Sequence, residues 1–237
     1  MKNLKKVLIS SFLFLSAIFA FAEEKSVESE YLDDVDGSII LSLADADDYD
    51  SKLVALQYLQ SAIEEGNTSE QVLKALDQLS GEGIKNPSMT KRRVMNNYPE
   101  IRRQACLLMA QVPTEHSKNT LLEIAIADNE PMVIAAAVKS LGEIGINDND
   151  EVVEAIAFAN RRNQVMNPTS SLAWEVLNAF EVLADSTQNK KTMLDAITMI
   201  STDYHYVTPV RQKALKLLKQ LSGKSSSKSN QSNADAK

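Results

Sequence analysis

The chain contains few of the residues that form disulfides, bind zinc or interrupt helices. Its 237 residues include one cysteine, two histidines and seven glycines. The single cysteine, Cys106, excludes an internal disulfide. His116 and His205 are far apart, and no His-x-x-x-His or Cys-x-x-Cys spacing supplies a zinc ligand set. Asn-Gly turns and sustained apolar–polar alternation after residue 22 are also lacking, so strand signals are weak and we predict an all-α fold.

Long apolar runs are confined to the N-terminus. Lys2, Lys5 and Lys6 precede an apolar stretch at residues 7–21, and Ala-Phe-Ala follows directly before Glu23. This pattern predicts a secretory signal peptide over residues 1–22. The stretch is shorter than the ~20 residues that a spanning helix needs, although retention as an anchor stays open. We therefore expect a bacterial periplasmic or secreted protein, without a transmembrane segment in the mature chain.

Negative charge is concentrated in one segment. Residues 23–50 contain eleven acidic residues and one lysine, whereas residues 51–237 contain 21 of each sign. The neutral body has no overall basic footprint for nucleic acid. We predict that residues 23–49 form an acidic flexible lead. Whether this lead folds back as a mask over basic loops stays open.

Helical periodicity extends over most of the chain. Apolar residues recur at helical spacing, and Gly66 and Gly223 are expected to end helices. The Ser- and Asn-rich residues 223–237 are predicted to be a flexible tail. We predict helices at about 50–65, 68–80, 98–112, 116–127, 130–144, 149–160, 168–184, 189–201 and 206–222.

Four of these helices share one internal frame. Each has a proline near its start, a central alanine and a large apolar residue four positions later. Proline suits the first helical positions, and alanine allows close helix packing. The aligned alanines are Ala105, Ala137, Ala173 and Ala214, with a looser copy at Ala55. Such repetition indicates a stacked array whose units share a core.

The frame resembles the HEAT-repeat family, in the short form seen in phycobilisome-lyase-type proteins. Residues 121–145, "LLEIAIADNEPMVIAAAVKSLGEIG", carry the resemblance best, whereas Ile134 and the pair Thr169-Ser170 depart from the Val-Arg pattern. The resemblance implies a short right-handed α-solenoid of about four to five helix pairs over residues 50–222. It also implies that the Val-Arg-type arginines pair with turn aspartates; these residues are Arg102, Arg211, Asp128 and Asp203.

Catalytic signatures are lacking. Cys106 lies in an apolar helix and is interpreted as a buried hydrophobe. The acidic run at residues 45–50 lacks the turn glycine and distal glutamate of an EF-hand, so it is interpreted as a solvated lead into a helix. We therefore predict a non-enzymatic protein with no cofactor and no metal. A lyase-like activity is a less favoured alternative, because a shared fold does not transfer activity.

Two long loops suggest a binding edge. Residues 81–98 and 161–167 both join the first helix of a repeat to its second, and both carry adjacent basic residues. Arginine suits bidentate pairing with carboxylates, so we expect a protein partner with an acidic surface. The alternative is that these charges are only solvated. The candidate partner-binding residues are Lys91, Arg92, Arg93, Tyr98, Arg161 and Arg162.

The resulting prediction is an exported HEAT-repeat scaffold or adaptor in the cell envelope. An alternative is a module that binds peptidoglycan or another envelope polymer. That alternative is favoured if the aromatic residues Tyr98, Trp174, Tyr204 and Tyr206 lie exposed in one groove. The sequence leaves the oligomeric state open.

Overall fold

The computed structural model describes residues 27–232, with side chains for residues 31–222. The predicted signal peptide, residues 1–22, lies outside the described residues. The chain divides into two compact units, Met1–Asp36 and Gly37–Lys237. The described part of the first unit is residues 27–36, which form the beginning of one helix.

The all-α class is confirmed, because residues 27–232 contain ten α-helices and one very short hairpin. The strands are β1 (Met89–Thr90) and β2 (Arg93–Val94). The helices are α1 (Val27–Asp45), α2 (Tyr49–Glu64), α3 (Glu70–Ser80), α4 (Pro99–Met109), α5 (Glu115–Ala127), α6 (Pro131–Ile144), α7 (Glu151–Met166), α8 (Ser170–Leu183), α9 (Lys191–Thr202) and α10 (Thr208–Ser232).

Two terminal predictions differ from the structure. The flexible lead predicted at residues 23–49 contains helix α1 instead. Its apolar positions Ile40 and Ala44 are buried, so tertiary packing stabilises a helix that its acidity disfavours. The tail predicted from Gly223 is also helical as far as Ser232. A glycine ends a helix when it adopts a left-handed conformation, as Gly145 does with φ 73°.

The second unit is built as two stacked layers. The even-numbered helices contact each other in the order α2, α4, α6, α8 and α10, and are called the even layer here. On the other side, α5 contacts α7 and α7 contacts α9. Each helix of this second set also packs on the even-numbered helix that follows it. This nearest-neighbour packing is consistent with a helical-repeat solenoid.

Small residues set the close spacing within the even layer. The repeat-frame alanines are all at most 1% exposed. Ser140 Oγ on α6 donates a hydrogen bond to the Cys106 carbonyl of α4 at 2.8 Å. A Cβ placed on Gly142 of α6 would lie 2.9 Å from the Cα of Ala179 on α8. Backbone atoms therefore approach closely here, and only glycine fits at position 142.

No helix within residues 27–232 has both the length and the apolarity that crossing a bilayer requires.

We expect Gly142→Val to lower the free energy of unfolding by about 1–3 kcal/mol, since its side chain would be forced against the α8 backbone. Lys139→Ala on the exposed face of the same helix is the matched control, and should change it by less than about 0.5 kcal/mol. Chemical denaturation of both variants measures the difference. Equal stability of the two variants would contradict the close contact.

Candidate protein-binding surface

The basic residues of the first long loop lie at the tip of the β1–β2 hairpin. Lys91 and Arg92 form its two-residue turn with φ 49° and 66°, and Arg93 begins β2. All three side chains are exposed, and none forms an ion pair among the described residues. Met89 and Met95 next to them are each 55% exposed. The tip therefore presents three cations together with flexible apolar side chains.

A buried polar network holds the base of this hairpin. Asn96 Nδ2 donates to Glu82 Oε1 at 2.6 Å and to the Asn86 carbonyl at 2.8 Å. Asn96 Oδ1 accepts the Ser88 N–H at 2.7 Å. Lys52 Nζ of α2 lies 2.9 Å from Glu82 Oε2, and both side chains are at most 5% exposed. Because buried polar groups are costly to leave unpaired, this network fixes the loop to the helices.

Arg102 extends the same network into the next repeat. Its guanidinium donates to both carboxylate oxygens of Asp128, with Nε–Oδ2 at 2.7 Å and Nη2–Oδ1 at 3.3 Å. Its Nη1 donates to the Glu82 carbonyl and to Asn97 Oδ1. The side chains of Arg102 and Asp128 are 1% and 2% exposed. This ion pair therefore links the hairpin base, α4 and the α5–α6 turn.

Asp203 and Arg211 do not form the ion pair that the repeat pattern implied. Arg211 Nη2 donates to Thr208, and its buried Nε has no hydrogen-bond partner within residues 27–232. Asp203 instead accepts hydrogen bonds from Gln164 and His205. Burial alone would raise the pKa of Asp203, but these hydrogen bonds outweigh it and hold that pKa below its ordinary value.

The reason lies in the direction of the pairing. Arg102 on α4 reaches Asp128, which lies in the turn between the two helices of the following pair, α5 and α6. Ser170 occupies the corresponding arginine position on α8, so Asp203 has no arginine facing it from the preceding repeat. Arg211 lies on α10, the last described helix, and no further turn aspartate follows among the described residues.

The two arginines of the second basic loop differ in their contacts. Arg162 donates to the carbonyls of Ile126 and Asp128, so its guanidinium is already engaged within the chain, and its assignment as a partner-binding residue stays a prediction. The last carbonyls of a helix lack intrahelical partners, and Arg162 of α7 satisfies those at the end of α5. Arg161 is exposed and forms no ion pair within the described residues. Residues 161–166 belong to α7 and are helical.

The aromatic residues do not share one exposed groove. Tyr98 is half-buried and packs edge-on against Tyr49, with ring centroids 5.2 Å apart, so its ring is not freely available to a partner. Tyr206 is buried, and burial together with the Asp203 carboxylate raises its pKa to about 12. Trp174 lies beneath Lys213, whose Nζ is 4.9 Å from the ring centroid. Tyr204 is 80% exposed and stacks on its neighbour His205.

Both histidines are paired with aspartates. His116 contacts Asp77 at 2.6 Å, and His205 contacts Asp203 at 2.7 Å. Neither imidazole hydrogen-bonds to a hydroxyl or thiol within the described part of the chain. Across residues 27–232, no group of three or more His, Cys, Asp or Glu side chains could hold a metal ion. In the acidic run, Asp48 caps α2 by accepting the Ser51 N–H at 2.8 Å.

Sequence reasoning missed Lys52 and Glu82, the buried pair beneath the hairpin. A signal was present, because Lys52 falls on the same helical stripe as Ala55, Leu56 and Leu59. A charge on an apolar stripe predicts a buried partner. Glu82 between two glycines carried no comparable signal.

No protein-family model, curated protein or solved structure matches this chain. The HEAT resemblance therefore stays a prediction, and the function is argued from the surface alone.

Removal of one partner from the Arg102–Asp128 pair should be strongly destabilising. Arg102→Met leaves a buried carboxylate unpaired, which should cost about 3–5 kcal/mol in unfolding free energy. The double variant Arg102→Met/Asp128→Leu should cost clearly less than the two single changes added together, because it leaves neither charge buried alone. The exposed pair Lys139–Glu143 is the control cycle and should show no measurable coupling. Additive effects at Arg102 and Asp128 would refute the linkage.

Cys106 should be unreactive in the native protein. Burial raises the pKa of its thiol well above the ordinary value, and the Asp128 carboxylate raises it further. Since the thiolate is the reactive form, maleimide labelling at pH 8 should be more than about a hundredfold slower than in denaturant. Mass spectrometry follows the labelling. A Ser171→Cys variant supplies an exposed thiol as control, and equal rates at both cysteines would contradict burial of Cys106.

Proposed function

We propose that this chain is a non-enzymatic helical-repeat adaptor of the cell envelope that binds an acidic protein surface through its basic hairpin. The observation that carries the proposal is the contrast between the two ends of that hairpin. At its base, Glu82, Asn96 and Lys52 are buried and paired. At its tip, Lys91, Arg92 and Arg93 are exposed, and the described residues supply no counter-charge.

The conformation of the tip favours binding without a large entropy loss. Short hairpins usually place Asn-Gly or Gly at turn positions with positive φ, whereas here Lys91 and Arg92 adopt that conformation. A loop already held in one conformation loses less entropy on association. The tip therefore offers carboxylate-binding groups on a pre-ordered support.

The chemistry of the tip indicates a protein partner. Arginine binds carboxylates bidentately, and methionine adapts to irregular apolar surfaces. Arg92, Arg93, Met89 and Met95 together provide both kinds of contact. A partner with clustered Asp and Glu around small apolar groups fits this combination. The neutral body makes the tip the local source of positive potential.

Charge reversal at the tip tests the proposal. In intact envelopes, the wild-type chain should recover a stoichiometric crosslinked partner, which Lys91→Glu/Arg92→Glu/Arg93→Glu should lose. With the purified partner, we expect affinity to fall about a hundredfold, because attraction is replaced by like-charge repulsion. The wild-type affinity should also fall with added salt.

A variant with the same change in charge elsewhere is the control. Lys139→Glu/Lys216→Glu/Lys219→Glu alters exposed lysines on α6 and α10, and should keep the partner. Recovery of the same proteins in equal amounts by the hairpin variant would show that the tip carries only solvated charge. Arg161→Glu alone reports whether α7 belongs to the same surface.

A further inference from the structure

Helices α2 and α4 are joined at their N-terminal ends and separated farther along. Tyr49 and Tyr98 stack edge-on where the two helices begin. Beyond these ends, a cleft of about 390 Å³ opens between the helices. Elsewhere in the even layer, the Gly142–Ala179 contact brings the α6 and α8 backbones together. An open groove therefore lies between α2 and α4, whereas α6 and α8 are in close contact.

The cleft is aliphatic with an uncharged polar border. Leu56 and Leu108 are 3% and 6% exposed, and with Leu107 they supply its apolar lining. All of its remaining lining residues are glutamines: Gln57 and Gln60 on α2, Gln104 on α4, and Gln111 in the turn that follows α4. No Asp, Glu, Lys, Arg or aromatic residue lines it. A charged ligand would find no counter-ion among these lining residues, and a ligand that needs an aromatic platform would find no ring.

The four glutamines have side-chain donors and acceptors that form no hydrogen bond among the described residues. The side chains of Gln57 and Gln111 make no hydrogen bond among the described residues. Gln60 donates to Glu64, and Gln104 donates to Glu100 at 3.0 Å. Among the described residues, no donor reaches the four side-chain Oε1 atoms, and the NH₂ groups of the exposed Gln57 and Gln111 have no acceptor. An uncharged ligand with N–H donors and some acceptors fits these groups.

A peptide backbone matches this requirement. The glutamine amide carries the same donor and acceptor groups as a peptide unit, so each glutamine can pair with one. Gln104 lies about 7.5 Å from the end of α4 at Met109, at ~1.5 Å per residue, and Gln111 follows two residues beyond that end. Extended chain advances ~3.3 Å per residue, so about three residues span the cleft. An aliphatic side chain of such a segment would cover the leucines.

We propose that the α2–α4 cleft binds a short, uncharged, extended peptide segment through the amides of Gln57, Gln60, Gln104 and Gln111. The inference deepens the proposed function, because it gives a protein partner a second attachment point whose chemistry differs from that of the hairpin.

The test uses the full chain and a defined probe. The probe is a pool of N-acetylated, C-amidated heptapeptides in which leucine alternates with serine, threonine or asparagine. Two-dimensional NMR follows the glutamine side-chain amide signals during titration. The signals of the four cleft glutamines should shift, with dissociation constants of about 0.01–1 mM for so small an interface.

Matched variants distinguish recognition through the glutamine amides from nonspecific binding of the peptides. Gln57→Ala/Gln111→Ala removes two amides that form no hydrogen bond within the described residues, and should weaken binding about tenfold. Gln212→Ala/Gln220→Ala on exposed α10 is the control and should bind normally. A backbone N-methylated pool, which has lost its N–H donors, should bind at least about tenfold more weakly than the parent pool.

Three results would overturn the inference. One is a lack of shift at the cleft glutamines at about 1 mM pool. Another is equal binding of the N-methylated pool, which would indicate a purely apolar ligand. The third is a shift with a neutral N-acetylglucosamine oligosaccharide but not with peptides, which would assign the cleft to a glycan.

The hairpin variant Lys91→Glu/Arg92→Glu/Arg93→Glu separates this inference from the proposed function. It should bind the peptide pool with unchanged affinity. A wild-type chain that binds the pool yet recovers no acidic partner would uphold the cleft and reject the hairpin assignment. A wild-type chain that recovers the acidic partner but does not bind the pool would reject the cleft alone.

Discussion

The buried Arg102–Asp128 ion pair is the contact on which the rest of the binding surface depends. One guanidinium joins the base of the basic hairpin, the start of α4 and the turn between α5 and α6. Arg162 then reaches the backbone of Asp128 from α7. Successive repeats are therefore tied together along one edge by polar contacts as well as by the shared apolar core. Buried ion pairs contribute little net stability, but they restrict alternative packings when every partner is satisfied.

The fold followed closely from the sequence because its signals are local. Pro99 and Pro131 open α4 and α6 as expected, and the repeat-frame alanines are buried. Helix α1 was missed because its composition suggested disorder, whereas burial of Ile40 and Ala44 decides its structure. Its last turn is also held from outside, where Lys52 donates to the Ala44 carbonyl at 2.8 Å. Such tertiary stabilisation has no local sequence signal.

The surface was harder to predict than the fold. Lys91, Arg92 and Arg93 lie together as their order in the chain requires, but their hairpin has no turn signal because lysine and arginine replace the usual Asn-Gly. Arg162 looked equivalent to Arg161 by position. The carbonyl groups at the end of α5 distinguish the two residues, and only the packed structure shows that contact. The cleft glutamines lie in two segments of the chain about fifty residues apart, so no local motif could connect them.

The turn at Lys91 and Arg92 also has a consequence for how this surface could evolve. Left-handed conformations cost residues with a side chain about 1–2 kcal/mol each relative to glycine, so an Asn-Gly turn would make the hairpin more stable. That exchange would remove two of its three cations. Stability therefore favours Asn-Gly at these two positions, whereas surface charge favours Lys-Arg. Selection for folding alone would drive the turn towards glycine, so persistence of Lys-Arg across descendants of this chain would be a sign of selection on the surface itself.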